Sequence, residues 1–133
     1  MVSVYVGVGA RRGVPAGEVL ELVGRTLAEA EAQAGAAPGA GRQLVALATA
    51  EAKAGESGLL EAAARLGVPL RCYPSDALSR VPVASPSEAA LAAVGAPAVA
   101  EAAALLAAGP GAVLAVAKRK SARATCAVAY GRG

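Results

Sequence analysis

The chain has 133 residues, a formal net charge of +3 and a hydrophobic content of 56%, and its only aromatic residues are three tyrosines. This length predicts a single domain over residues 1–133, while the small charge and the lack of phenylalanine and tryptophan argue against nucleic acid as a partner. Without histidine the chain has no imidazole base and lacks the usual nitrogen ligand of zinc and iron sites, so we expect neither a metal nor a cofactor.

The first half of the chain alternates strand and helix patterns. Residues 2–8 place valine at every second position, which predicts a strand, and no signal peptide pattern precedes it. Apolar residues at helical spacing follow Pro15 and predict a helix. The stretch from Gly35 to Gly41 predicts a surface connection, and residues 44–48 predict a second, buried strand. No apolar run approaches the ~20 residues of a membrane span, so we expect a cytoplasmic protein without membrane contact.

The middle of the chain continues the alternation. Leu59 to Gly67 predicts a helix that the glycine ends, and residues 68–73 predict a third strand. Residues 74–80 predict a turn or a single helical turn. The run Ser85-Pro86-Ser87-Glu88 is typical of a helix start, with a capping serine and a glutamate three residues later, and this helix is expected to end near Gly95.

The last part of the chain predicts a helix from about Ala98 to Gly109 and two strands over residues 112–117 and 124–130. The basic segment 118–123 is expected to join these strands as a hairpin. Alternating strands and helices favour right-handed crossovers and a parallel sheet. We therefore predict a three-layer α/β/α fold with a mixed, mostly parallel five-stranded sheet, ending in a C-terminal β-hairpin whose last strand is an antiparallel edge.

The basic residues concentrate near the two ends of the chain. Seven of the thirteen lysines and arginines lie at positions 11–12 or 118–132, and neither stretch contains an acidic residue. In open α/β sheets, ligands bind beyond the carboxyl ends of the parallel strands, where both stretches are expected to meet. This predicts an anion site whose candidate binding residues are Gly7, Gly9, Arg11, Arg12, Gly13, Lys118, Lys120, Ser121 and Thr125.

Alternatives exist for each part of this site. The turn from Gly7 to Gly13 can instead be a tight strand-to-helix turn with solvated arginines. The basic hairpin can be a charged edge that prevents aggregation. A nucleotide- or phosphate-binding module is a further alternative, although the spacing is G-x-G-x-x-x-G and not that of the dinucleotide fingerprint. Glu51 and Lys53 are weak candidates for acid-base catalysis, or only a charge cluster at a helix start.

Several segments recur together in one known family. They are Gly7 to Gly13, Thr49-x-Glu51-x-Lys53-x-x-Glu56, Pro86 to Gly95, Val99-x-Glu101-Ala102, and Lys118-x-Lys120 with Thr125-x-x-Val128. In this order they resemble the cobalamin-biosynthesis family that comprises CobE and the C-terminal domain of CbiG, and the resemblance covers essentially the whole chain. Having room for the C-terminal module only, the chain resembles the stand-alone, CobE-like members.

This resemblance implies a role in building the corrin ring of vitamin B12. It implies a protein that binds an anionic precorrin at a basic rim formed by Arg11, Arg12, Lys118, Lys120 and Arg123. The protein would assist the processing or hand-over of the precorrin, with other enzymes of the pathway as further partners. The alternative is a cobalt-precorrin-5A lactone hydrolase of the CbiG type, so whether the chain is an enzyme stays open. The family often has cysteine where Ala10 stands. The absence of this cysteine weakens the case for catalysis but does not affect the case for anion binding.

Overall fold

The computed structural model describes residues 2–34, 42–81 and 99–131, and within these ranges it contains five strands and four α-helices. The strands are β1 (Val2–Ala10), β2 (Arg42–Ala50), β3 (Leu70–Tyr73), β4 (Val113–Lys120) and β5 (Ala124–Gly131). The helices are α1 (Ala16–Ala34), α2 (Ser57–Leu66), α3 (Ser75–Ser79) and α4 (Val99–Ala108), and Glu51–Lys53 forms a short 3₁₀ helix. The predicted connection at Gly35 to Gly41 and the predicted helix start at Ser85 lie outside the described residues.

The five strands form one mixed sheet in the order β3-β2-β1-β5-β4. The pairs β1–β2 and β2–β3 are parallel, whereas β5 runs antiparallel to both of its neighbours. Four strands therefore point in one direction, and the predicted mixed, mostly parallel α/β sheet with a C-terminal hairpin is confirmed.

The prediction that the last strand of the chain lies at an edge of the sheet is wrong. The antiparallel strand β5 lies inside the sheet between β1 and β4, and β4 forms one of the two edges. The reason lies in composition: residues 126–129 of β5 are small, apolar and fully buried, as suits a central strand. β4 instead ends in Lys118, Arg119 and Lys120, charges that are tolerated at an edge and discourage pairing with other chains.

Helices cover both faces of the sheet. Val4, Val6 and Val8 of β1 point to one face, where they join the core formed with α1 and α2. On the other face, α4 packs across β1, β5 and β2. Five of the ten residues of α4 are buried alanines, which let the helix approach the sheet closely and make this layer thin. Among the described residues, no helix is both long and apolar enough to cross a membrane.

Local signals for helix ends agree with the structure. Gly67 adopts φ 73°, in the left-handed region, and ends α2 as predicted, with its N–H donating to carbonyls of the last turn. The short helix α3 occupies residues 75–79, within the predicted turn or single helical turn. Glu18 lies in the first turn of α1, where a carboxylate favours the helix dipole. Because β1 and β2 are parallel, the β1–α1 and β2–α2 junctions lie at the same edge of the sheet.

Candidate functional site

A cavity of about 770 Å³ lies at the carboxyl ends of β1, β2 and β4. Most of its lining comes from three chain segments at strand ends: residues 9–11 at the end of β1, residues 49–53 at the end of β2, and residues 118–125 from the end of β4 to the start of β5. This is the position expected for ligand sites in open α/β sheets. Among the described residues, its lining contains no acidic side chain, and its five basic residues are Arg11, Lys53, Lys118, Lys120 and Arg123. The charged side chains that line the cavity are therefore all positive, and the cavity is expected to attract anions.

The remaining lining of the cavity is built mainly from small residues. Gly9, Ala50 and Ala122 are typical of them, and Thr125 supplies a hydroxyl. Gly9 pairs with Thr125 across β1 and β5, and a β-carbon on Gly9 would come within 2.6 Å of the Thr125 Oγ1 atom. Glycine at this position therefore keeps the Thr125 hydroxyl in place and the cavity wall open.

Lys118 and Lys120 lie on β4 and not in a loop. The strand continues to Lys120, so the predicted basic hairpin segment 118–123 is shortened to a turn over residues 121–123. Both lysines line the cavity, Lys118 half-buried and Lys120 exposed. Neither forms an ion pair with a carboxylate of the described residues, which leaves both charges available to a ligand.

The turn after β4 is fastened to the start of α1 by Glu18. The Glu18 carboxylate accepts hydrogen bonds from the Ser121 hydroxyl, from the Arg123 backbone N–H at 2.6 Å and from Arg123 Nε at 3.0 Å. The Ser121 hydroxyl, followed by the Arg123 N–H, holds the pKa of Glu18 below its ordinary value of 4.5. Arg123 lines the cavity, but its charge is already partly balanced by Glu18.

The two basic segments lie side by side, as the sequence analysis predicts. The Arg11 N–H donates to the Arg123 carbonyl oxygen at 2.9 Å, and Arg11 lines the cavity. Arg12 is exposed and lies outside the lining. Gly13 has φ 81° and also lies outside it, with its N–H donating to Glu56 Oε2 at 2.8 Å.

Two further predicted site residues, Gly7 and Glu51, lie outside the lining of the cavity. Gly7 is buried beneath α4 and does not line the cavity. Glu51 is exposed and also lies outside the lining, whereas its neighbour Lys53 is half-buried and lines it. Residues 2–34, 42–81 and 99–131 contain no group of three cysteine, aspartate or glutamate side chains that could hold a metal ion.

Three carboxylates next to the site were not assigned a role from sequence. Glu18 and Glu56 bind the turns described above, and Glu101 is 2% exposed with Oε2 accepting the Lys118 N–H at 2.9 Å. Two sequence signals point to Glu101: the family segment Val99-x-Glu101-Ala102 contains it, and it is the single charged residue of α4. A charged side chain in an otherwise apolar helix indicates a paired or functional group.

Two carboxylates of the protein itself lie next to the turn before α1 and in the first turn of the helix. Glu56 accepts the Gly13 N–H, and Glu18 lies within the first turn of the helix. These are the positions at which a phosphate binds in dinucleotide- and P-loop proteins. The arrangement therefore disfavours the nucleotide- or phosphate-binding alternative at this turn.

Comparison with known proteins gives consistent results. A family model described as "Cobalamin synthesis G C-terminus" matches residues 4–129. The chain is 42% identical over 129 residues to Protein CobE from Sinorhizobium sp, covering 96% of this chain and 79% of that protein. It is 33% identical over 124 residues to a cobalt-precorrin-5A hydrolase from Priestia megaterium, covering 93% of this chain but 31% of that enzyme. The crystal structure of CobE, a protein from the cobalamin (vitamin B12) biosynthetic pathway, has a TM-score of 0.72 and 35% identity, covering 97% and 90% of the two chains.

Proposed function

The chain belongs to the cobalamin synthesis G C-terminal family and is a cobalamin biosynthesis protein of the CobE/CbiG C-terminal type, and we propose that it binds an anionic corrin-ring precursor in the basic cavity. In this proposal it assists the processing of the precursor or hands it to another enzyme of the pathway, in the cytoplasm. Corrin precursors are flat, largely apolar macrocycles with acetate and propionate carboxylates around the rim. They match a site with small residues at its walls and cations around them.

The observation that carries this proposal is the composition of the cavity lining. Arg11, Lys53, Lys118 and Lys120 line it without an ion pair to any described carboxylate. Arginine offers a planar fork for a carboxylate, and lysine offers a mobile point charge, so the set suits several carboxylates at different positions on one ligand. The small lining residues leave room for the face of the ring.

A second candidate function is lactone hydrolysis of the cobalt-precorrin-5A type. It is favoured by Lys53, which lines the cavity and could help a water molecule attack the lactone. Glu51, the other catalytic candidate, lies outside the lining. The chain spans 31% of the hydrolase that it resembles, so this activity stays a proposal beside the binding role.

Direct titration tests the binding proposal. Cobyrinic acid, a corrin with free carboxylates, is titrated into the protein and followed by visible absorbance and calorimetry. Cobinamide, in which the corresponding carboxylates are amides, is the matched control ligand, and ATP is the nucleotide control. We expect binding of cobyrinic acid and much weaker binding of cobinamide, because the cavity selects negative charge.

Equal affinity for cobyrinic acid and cobinamide, or binding of ATP alone, would refute a site selective for carboxylated corrins. Incubation with cobalt-precorrin-5A and assay of released acetaldehyde then separates a carrier from a hydrolase. Binding without acetaldehyde supports the carrier role, and catalytic release of acetaldehyde supports the hydrolase.

A further inference from the structure

The register between β4 and β5 contains one extra residue on β4 next to the cavity. Val116 pairs with Val128, and the next pair in this part of the ladder is Arg119 with Cys126. Three steps along β4 thus correspond to two steps along β5. The extra residue lies between Val116 and Arg119 and forms a β-bulge, a device that redirects the side chains after it.

The bulge decides which face of the sheet each basic residue meets. Val116 and Cys126 belong to the core on the α1 face. Arg119 points to that same face, three residues after Val116, and binds Glu29 of α1 with Nη2 at 2.6 Å from Oε1. Lys120, opposite Thr125, lines the cavity on the other face. Without the extra residue, alternation from Val116 would turn Lys120 toward α1 and Arg119 toward the cavity.

Glu101 holds the backbone at this bulge. Its Oε2 accepts the Lys118 N–H at 2.9 Å, at the position where the pairing of β4 with β5 is interrupted. The side chain is 2% exposed and belongs to the first turns of α4, which cover the same face as the cavity. A buried carboxylate is costly unless hydrogen-bonded, and so is a backbone N–H left without an acceptor, so each group needs the other.

We propose that Glu101 is a positioning residue of the binding site. By accepting the Lys118 N–H it fixes the bulge in β4, and the bulge directs Lys118 and Lys120 into the cavity. This rests on the proposed function insofar as these lysines bind the carboxylates of a corrin precursor. Glu101 does not touch the ligand; it acts through the two lysines.

Binding measurements in four proteins test this role: wild type, Glu101→Ala, the double variant Lys118→Ala/Lys120→Ala, and the triple variant that combines them. We expect Glu101→Ala to weaken cobyrinic acid binding about tenfold in the wild-type background, the cost of a lost charge-assisted contact. In the background without the lysines, the same substitution is expected to change affinity less than about twofold, because the effect is transmitted through them. An equal loss of affinity in both backgrounds would overturn the proposal.

Two further variants separate positioning from general stability. Glu101→Gln retains an oxygen that accepts the Lys118 N–H, and we expect affinity within about threefold of wild type. Leu22→Ala removes a buried side chain from the α1 face, away from the cavity, and is expected to lower stability but keep affinity. Two results would contradict the positioning role. One is loss of binding in Glu101→Gln while the register of β4 is unchanged. The other is a loss of binding in Leu22→Ala as large as that in Glu101→Ala.

A measurement without ligand keeps this inference separate from the proposed function. In NMR spectra of the wild type we expect a slowly exchanging Lys118 amide and cross-strand contacts between Lys120 and Thr125. Glu101→Ala is expected to lose both, and Glu101→Gln to keep both; where Glu101→Ala does not fold, wild type and Glu101→Gln decide. If cobyrinic acid does not bind to wild type but these signals behave as expected, the proposed function fails while the role of Glu101 at the bulge stands. A Lys118 amide that exchanges freely in the wild type overturns that role.

Discussion

Gly7 lies so close to Ala100 that a β-carbon on the glycine would come within 1.7 Å of the Ala100 carbonyl oxygen. Because that oxygen belongs to the backbone of α4, it cannot rotate away as a side chain could. We therefore expect Gly7→Ala to push α4 from the sheet and to lower the free energy of unfolding by about 2 kcal/mol or more. Urea denaturation monitored by circular dichroism measures this change.

Gly24→Ala is the matched control for this prediction. Gly24 is exposed in the middle of α1, and a β-carbon there would meet no atom within 4 Å. Alanine in an exposed helix interior is expected to stabilise by about 0.5–1 kcal/mol. Gly7→Ala with the stability of wild type would mean that α4 does not pack on β1 as closely as described.

Arg11 and Arg12 are adjacent in sequence but differ in their relation to the cavity. Arg11 lines it and Arg12 does not, so we expect Arg11→Ala to weaken cobyrinic acid binding about threefold to fivefold, a typical value for an exposed charge pair. Arg12→Ala is expected to have a smaller effect, since it removes the same charge at a greater distance. Calorimetric titration of both variants tests the difference, and a larger loss in Arg12→Ala would relocate the site.

Lys118 and Lys120 are expected to bind through screened attraction. Reversing both charges in Lys118→Glu/Lys120→Glu should weaken cobyrinic acid binding about 100-fold at low ionic strength and less at high salt, because salt screens charges that solvent reaches. The variant Arg25→Glu/Arg65→Glu has the same net charge but alters exposed residues of α1 and α2, so it should retain affinity. Equal losses in the two double variants would indicate a net-charge effect and no specific site.

Glu18 makes the stability of the hairpin turn depend on pH. The Ser121 hydroxyl first, and then the Arg123 N–H, lower the pKa of this carboxyl below 4.5 in the folded protein. A lowered folded-state pKa contributes stability that is fully present above the unfolded pKa and is lost as pH falls through the folded pKa. We expect the Tm difference between wild type and Glu18→Gln to be constant above pH 4.5 and to shrink below it.

Thermal unfolding over a series of pH values measures this effect. Glu21→Gln is the control, because its carboxylate lies on the exposed side of the same helix and makes no hydrogen bond or ion pair with the described residues. We expect the Tm of Glu21→Gln to follow that of wild type. A constant difference between wild type and Glu18→Gln at all pH values would contradict a lowered pKa for Glu18.

The local elements of the fold follow from sequence, but one pairing does not. The valine alternation of β1 and the glycine that ends α2 are short-range signals, and both predictions are confirmed. The position of β5 depends on contacts between Val4 and Tyr130 or Gly9 and Thr125, which are more than a hundred residues apart in sequence. Periodicity shows that β5 is a strand but not which strands it joins, so the prediction of an edge strand had no local information to correct it.

The candidate site shows the same division. The clustering of basic residues near both ends of the chain, with the carboxyl-end rule, predicts a shared cationic rim, and Arg11 and Arg123 are hydrogen-bonded neighbours. The carboxylates that shape the rim were not predicted, since Glu18 binds Arg123 across 105 positions and Glu101 binds Lys118 across 17. Their roles depend on the register of strands, which residue type alone does not specify.

The central place of β5 has a consequence for synthesis of the protein. β4 is joined to β1 only through β5, so a nascent chain that has emerged as far as Lys120 contains no strand with which β4 can pair. The cavity needs β1, β4 and the turn between β4 and β5 together, so it forms only after residues 124–131 have left the ribosome. An unfinished chain therefore cannot sequester ligand, and truncation within β5 is expected to remove binding and folding in a single step.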